Sequence, residues 1–399
     1  MLLGGLRYLL PVIRCAHEEG YYVITCDYLP NNIAHCYADE YVNVSIIDKE
    51  AVLDAARALQ IDGIMSFAVD PGVVSASYVQ EQLGLPSFGP FHSVEILQNK
   101  DLFRAFLKEH HFNVPQAKGY DSVEAAMSDI SSFAFPVIVK PTDSAGSKGV
   151  TRVDRKEDLN KALEYAMSHS FSYHVIVEQF IEKTECSSDS DALSVDGKLA
   201  FISFNAQRFD EQAFNPYTPA AFTWPSTYTS EQEQYLTSEL QRLITLLDMK
   251  TAVYNIETRI GTDGLPYIME VSPRGGGNRL CEMLRYATGV DLIRAVTRAA
   301  VGDPIDDIAP CNYNGHWAEV ILHADRKGTF QRLEISKQMN AEIVEEDLWI
   351  KPGDQVAAFE GANDSIGTLV MRFSDASTME WAITHQREWL KVVVNENRL

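Results

Sequence analysis

Two acids in one short segment are spaced to face each other across a hairpin. The segment runs Val253-Tyr-Asn-Ile-Glu-Thr-Arg-Ile-Gly-Thr-Asp-Gly-Leu-Pro-Tyr-Ile-Met-Glu-Val-Ser-Pro-Arg274. Asp263-Gly264 suits a two-residue type I′ turn. That turn sets Thr262 opposite Leu265, Gly261 opposite Pro266 and Glu257 opposite Glu270. The acids then form a non-hydrogen-bonded pair, with Cα atoms roughly 4.5 Å apart. Like charges directly opposite destabilise a sheet. Either one carboxylate is protonated, or the side chains splay into water, or a cation sits between them. Mg²⁺ suits such a pair, because it takes oxygen ligands, commonly one or two carboxylates plus phosphates. Asn255 and Ser272, two residues along, also carry oxygen. A solvated hairpin face with ordinary polar residues fits the pattern equally well, and a one-residue slip would undo the pairing.

Two further segments could hold anions. In Arg274-Gly-Gly-Gly-Asn278 the glycines allow close backbone approach, a helix N-terminus follows, and Arg274 could grip a phosphoryl or carboxylate group bidentately. A flexible turn between domains would look the same. In Phe135-Pro-Val-Ile-Val-Lys140 a lysine ends an apolar strand, and the loop Thr142-Asp-Ser-Ala-Gly-Ser-Lys-Gly149 follows. Loop amides can cradle phosphates that such a lysine reaches. An ordinary surface turn is the alternative. The spacing is neither that of a Walker A loop nor G-x-G-x-x-G.

These residues need a scaffold. The first ninety alternate strand-like and helix-like pieces: Met1–Leu3, a helical pattern over 6–18, Tyr22–Cys26, Glu50–Leu59, Gly63–Phe67 and Gly72–Leu83. Such alternation predicts a mostly parallel sheet covered by helices. The first strand is short for its role, so a misplaced or trimmed start is an open expectation. Asn99 can cap a helix opening at Lys100 and running to about His110. A second α/β region holds the Lys140 strand, a helix over 156–168 and a strand over 174–178. Asp196-Gly197 predicts another hairpin within 187–210. Residues 211–230 lack a clear period and read as a long loop. Beyond Gly315, strands near 316–323, 341–346 and 366–373 and a helix over 376–389 predict a small α+β unit.

Composition narrows the class. The chain has 399 residues, 46% apolar and 23% charged, with 56 acids against 34 bases and a net charge of −22. That balance argues against non-specific binding to nucleic acid or anionic membranes. The six cysteines form no C-x-x-C pair and read as reduced thiols. No apolar run is long enough to span a bilayer, and the N-terminus lacks a signal-peptide layout. A cytoplasmic protein is expected, with neither nucleic acid nor membrane as partner.

Taken in order, the pieces resemble the ATP-grasp superfamily: Lys100, the Lys140 strand with its glycine loop, Val177-Glu178-Gln179-Phe180-Ile181 leading to Glu185, then Glu257, Glu270 and Arg274. The likeness covers roughly residues 1–310. It implies an N-terminal parallel α/β domain over 1–92, an ATP-grasp domain over 93–310 with a lid over about 115–180, and a small C-terminal α+β domain over 311–399. It implies Lys100 and Lys140 on the ATP phosphates. Residues 142–149 become the closing loop, with Ser144, Gly146, Ser147 and Gly149 at the nucleotide. Glu178, Gln179, Phe180 and Ile181 would meet adenine, and Glu185 the ribose. Glu257, Glu270 and Ser272 would hold Mg²⁺ or Mn²⁺; the third ligand is commonly Asn, and Ser binds more weakly. Arg274 and Lys140 would act on the transferred phosphoryl group.

The layout, with Gly315-His-Trp-Ala-Glu-Val and Lys351-Pro-Gly-Asp354, is similar to L-amino-acid ligases and related carboxylate–amine ligases. That implies ADP-forming ligation of a small carboxylate to an amine through an acyl phosphate, and a homodimer. The competing expectations are a carboxylase-type enzyme that activates bicarbonate and a non-catalytic nucleotide-binding protein.

Overall fold

The computed structural model describes residues 1–143, 149–215 and 218–395. At the N-terminus, strands Glu40–Val42, Ile24–Cys26, Leu2–Leu3 and Met65–Ser66 lie parallel in that order. Helices Leu10–Glu18, Lys49–Leu59 and Pro71–Leu83 accompany them. The two-residue strand Leu2–Leu3 sits between two neighbours and is buried. The strand Glu40–Val42 has no fully buried residue, which is why its pattern was silent.

Residues 117–179 build an antiparallel sheet ordered Ala117–Tyr120, Val175–Gln179, Val137–Pro141, Thr151–Val153. Helices Val123–Asp129 and Leu159–Ser168 close a separate core over it. A second antiparallel sheet orders Lys198–Ile202, Ser188–Val195, Ala252–Ile260 and Pro266–Ser272. Its apolar face packs on the helix Ser230–Leu246 and on Phe103 and Leu107 of the helix Lys100–Glu109. The turn between its first two strands is of the expected kind: Asp196 and Gly197 both have positive φ, and Val195 faces Lys198.

The segment expected to be a long loop holds a strand instead. Pro219–Trp224 is largely buried and joins a five-stranded antiparallel sheet with Ala206–Phe209, His316–Leu322, Gly367–Phe373 and Ile343–Leu348. Ala-Ala-Phe-Thr-Trp alternates between two different cores, so both faces are apolar and no period of two appears. This sheet also crosses the boundary expected near residue 310. Three more strands, Gly328–Ile335, Gln355–Val356 and Leu390–Asn395, form a last small sheet. All six cysteines are free thiols, and no helix among the described residues is long and apolar enough to cross a membrane.

Candidate active site

Glu257 does face Glu270, but by a different route from the expected one. The hairpin closes through three residues, not two. The Gly261 N–H donates to Leu265 O at 2.9 Å and the Gly264 N–H to Gly261 O at 2.9 Å, with Gly264 at φ +79°. That is a type I turn ending in a left-handed residue. Pro266 therefore faces Ile260, and Thr258 faces Ile268. A bulge at Met269 then absorbs one residue, so that Glu257 meets Glu270 and Asn255 meets Ser272. The turn and the bulge offset each other.

The neighbouring strand extends the row. Asp189 pairs with Glu257, and Asp191 pairs with Asn255. Three carboxylates thus lie side by side across three strands. Burial, and next the Glu257 charge, push the Asp189 carboxyl up to about 7. Asn255 restrains the rise by donating its amide to Asp189 Oδ1 at 2.7 Å and Asp191 Oδ1 at 3.2 Å. Asp191 is fully buried and also accepts from the Gly276 N–H at 3.0 Å and the Cys281 thiol at 2.9 Å.

On the strand Val175–Gln179, Glu178 is enclosed between two cations. Arg104 Nε donates to its Oε2 at 2.7 Å, and Lys140 Nζ to its Oε1 at 3.3 Å. Burial alone would raise this carboxyl; Arg104 and Lys140 outweigh burial and hold it down at about 2. Burial lowers the Lys140 ammonium, and the fields of Arg104 and Lys100 add to that, while Glu178 and Glu270 oppose it. The charges of Glu178, Glu270 and Lys100 thus all act on Lys140. The Lys100 N–H donates to Thr142 O at 3.3 Å, which ties the helix start to the end of the lysine strand.

Other expected residues are engaged elsewhere. Arg274 grips Asp70 with Nε and Nη2, both at 2.8 Å, and donates Nη1 to Gly275 O. Burial would raise Asp70, but Arg274 and the Ser272 hydroxyl hold it below the usual carboxylate range. Ser272 donates to Asp70 at 2.8 Å and accepts from Gln98 at 2.8 Å. Gly275 lies flat against the Phe67 ring, where a Cβ would sit 2.3 Å from it. The glycine run is thus a contact with the N-terminal unit as well as a turn. The Gln179 N–H donates to Gln116 O and the Phe180 N–H to Pro136 O, while Ile181 O accepts from Arg259. Glu185 is exposed. Gly149 has φ +74°, and a Cβ there would meet Pro141 and His169 at 2.8 Å. Ser144, Gly146 and Ser147 lie outside the described residues.

Mg²⁺ fits the donor set of the hairpin. Glu257 and Glu270 are two oxygen donors side by side, both partly exposed. They do not form a closed cage, and an ion that keeps waters and takes phosphates does not need one. Among the described residues, three such groups come within 4.8 Å of one another only at Asp210, His323 and Asp325. There Arg387 bridges Asp210 at 2.6 Å and Asp325 at 2.8 Å, so a guanidinium already supplies the positive charge.

Residues 133–282 match the family model of the ATP-grasp domain. They form an ATP-grasp domain. The C-terminal section of the carbamoyl phosphate synthase large chain of Aquifex aeolicus is 25% identical over 297 residues, 73% of this chain and 54% of that protein. The chain thus spans about half the length of that curated relative. An L-amino acid ligase from Bacillus licheniformis superposes with a TM-score of 0.82 at 18% identity, covering 99% of this chain and 98% of that one. The biotin carboxylase domain of the Hydrogenobacter thermophilus 2-oxoglutarate carboxylase, solved with Mg-ADP and bicarbonate, superposes at 0.73 with 18% identity, covering 98% and 90%. These structural likenesses show that the chain shares its fold with those proteins along nearly its whole length.

Four residues of these charged clusters escaped the sequence reading. Asp189 and Asp191 had a signal, since Ser188-Asp-Ser-Asp191 alternates like one face of a strand. Arg104 had a weaker one: it sits beside Phe103 on a helix whose apolar face is buried. Asp70 had none, because its partners are about two hundred positions away.

Proposed function

We propose that the protein is an ADP-forming ligase that uses Mg-ATP to activate a small carboxylate and passes the acyl group to an amine. The observation that carries this reading is the facing pair Glu257–Glu270, with Lys140 near enough to feel the Glu270 charge. Phosphoryl transfer asks a protein chiefly for positioned positive charge. Glu257 and Glu270 would hold Mg²⁺ or Mn²⁺, with Ser272 as the third candidate, its hydroxyl now given to Asp70. The metal would neutralise phosphate charge. Lys140, steadied by Glu178, and Lys100 would bind phosphates, and the 142–149 loop would close over them. Arg274 would serve the transferred group on release from Asp70. The unit over 115–180 would exclude water and so protect an acyl phosphate from hydrolysis.

An ADP-release screen with amino acids, dipeptides and small carboxylic acids tests the reading. Glu257→Ala and Glu270→Ala should each abolish release with the fold intact. Near-normal release in either variant counts against the assignment. The likeness to a bicarbonate-bound carboxylase domain favours one alternative. ADP formation that needs bicarbonate and no amine would select it.

A further inference from the structure

The helix that opens at Lys100 and the sheet over residues 117–179 meet at one small joint. The Lys100 N–H donates to Thr142 O at 3.3 Å, and the Thr142 N–H donates to His174 O at 3.2 Å. The His174 ring closes the circuit from the other side. Its Nε2 lies 3.4 Å from Asp101 Oδ2, one residue after Lys100, and its Nδ1 lies 2.5 Å from Asp121 Oδ1. Asp121 directly follows the strand Ala117–Tyr120. The ring thus stands between a carboxylate of the helix and a carboxylate of the sheet.

A glycine makes room for this contact. A Cβ at Gly119 would sit 2.5 Å from His174 Nε2 and closer still to the Asp101 carboxylate. A larger residue there would push the helix start off the sheet. One turn along the helix, Arg104 meets Glu178 of the same sheet. The turn that ends at His174 also holds the base of the 142–149 loop. Asp143 accepts from the Ser170 hydroxyl at 3.0 Å and the Ser172 N–H at 2.7 Å, and Ser170 Oγ accepts the His174 N–H at 3.0 Å.

We propose that His174 is a positioning residue: it holds the start of the helix Lys100–Glu109 against the sheet that carries Lys140, and so sets how the two lysines stand to each other. A lysine ammonium rides on a long flexible stem, so its aim depends on where its backbone is fixed. Lys140 is fixed within its strand. Lys100 is the first residue of its helix, where a backbone N–H has no partner inside the helix. Thr142 takes that N–H, and Asp101, held at the His174 ring, secures the next residue. The inference rests on the ligase reading for the placement of both lysines at the ATP phosphates, and goes beyond it by naming what keeps them aligned.

A double-mutant cycle on nucleotide binding tests this. The full chain is titrated with the Mg²⁺ complex of adenylyl imidodiphosphate, a non-hydrolysable ATP analogue. His174→Ala should weaken binding about tenfold, and Lys100→Ala at least as much. Acting through Lys100, His174→Ala should cost less than about twofold more in a chain that already carries Lys100→Ala. His174→Gln places an amide near Nε2, keeps the reach to Asp101 and should recover most of the affinity. His174→Asn, whose amide stands near Nδ1, should not. These two variants carry the comparison should His174→Ala fail to fold. Losses that multiply in the double variant, an unaltered affinity in His174→Ala, or equal affinities in His174→Gln and His174→Asn overturn the positioning role and leave the ligase reading standing. An unaltered affinity in Lys100→Ala overturns the placement of Lys100 on the phosphates, and the positioning role falls with it.

Discussion

In the sheet over residues 117–179, Glu178 is enclosed by protein and held at about 2; in the hairpin sheet, Asp189 is pushed up to about 7. Both are carboxylates, and for both burial is the largest influence. Their charged neighbours differ. Glu178 lies between Arg104 and Lys140, whereas Asp189 lies beside Glu257. Desolvation works against either charge; at Glu178 the two cations within reach reverse the sign. Glu178 is therefore held by its own ion pairs, with one cation in excess. The hairpin side carries negative charge that a divalent cation would neutralise. The same contrast recurs between Asp70, clasped by Arg274, and Glu319, whose carboxylate oxygens have no hydrogen-bond partner among the described residues.

The contrast breaks most sharply at the hairpin. Glu270→Gln removes one of the two facing charges and should lower ADP formation by about 10³-fold, equivalent to about 4 kcal/mol. Mg²⁺-dependent rate measurements check it, and a loss under tenfold would mean that the row is not the metal's place.

Glu178→Gln tests the opposite side. It leaves Arg104 and Lys140 buried without their counter-charge and should cost about 3–5 kcal/mol of stability at neutral pH. The Glu178 carboxyl lies below its unfolded value when folded. Its contribution is therefore complete above about pH 4.5 and is lost as the pH falls toward 2. That contribution is about 3 kcal/mol. Urea melts across this range should be steeper in pH for the wild type than for the variant.

Asp70→Asn loosens the clasp between the N-terminal helix Pro71–Leu83 and the glycine turn, and should cost about 2 kcal/mol. If Arg274 is needed by substrate, the variant should keep or gain activity at saturating ATP while melting earlier. The smallest effect belongs to Gly149→Ala. A side chain at φ +74° against Pro141 should cost about 1–2 kcal/mol and raise the KM for ATP more than it lowers kcat.

Much of this was legible in the chain because local chemistry decides it. The Asp196-Gly197 turn follows from two residues that tolerate positive φ, and the parallel N-terminal sheet from alternating strand and helix patterns. The facing of Glu257 and Glu270 was read from a turn that closes differently. The reading survives because Met269 bulges, and no local rule announces a bulge. The strand Pro219–Trp224 was invisible because both of its faces meet apolar cores.

By itself, the sequence determined which residue types could bind nucleotide and metal, and in what order they occur along the chain. Folding decided which of them meet. Arg274 belongs with Asp70, Glu178 with Arg104, and Asp189 with Glu257, through contacts spanning from tens of positions to about two hundred. Charge and hydrogen bonding act over a few ångströms of space, and a one-dimensional pattern carries distance only for neighbours along the chain.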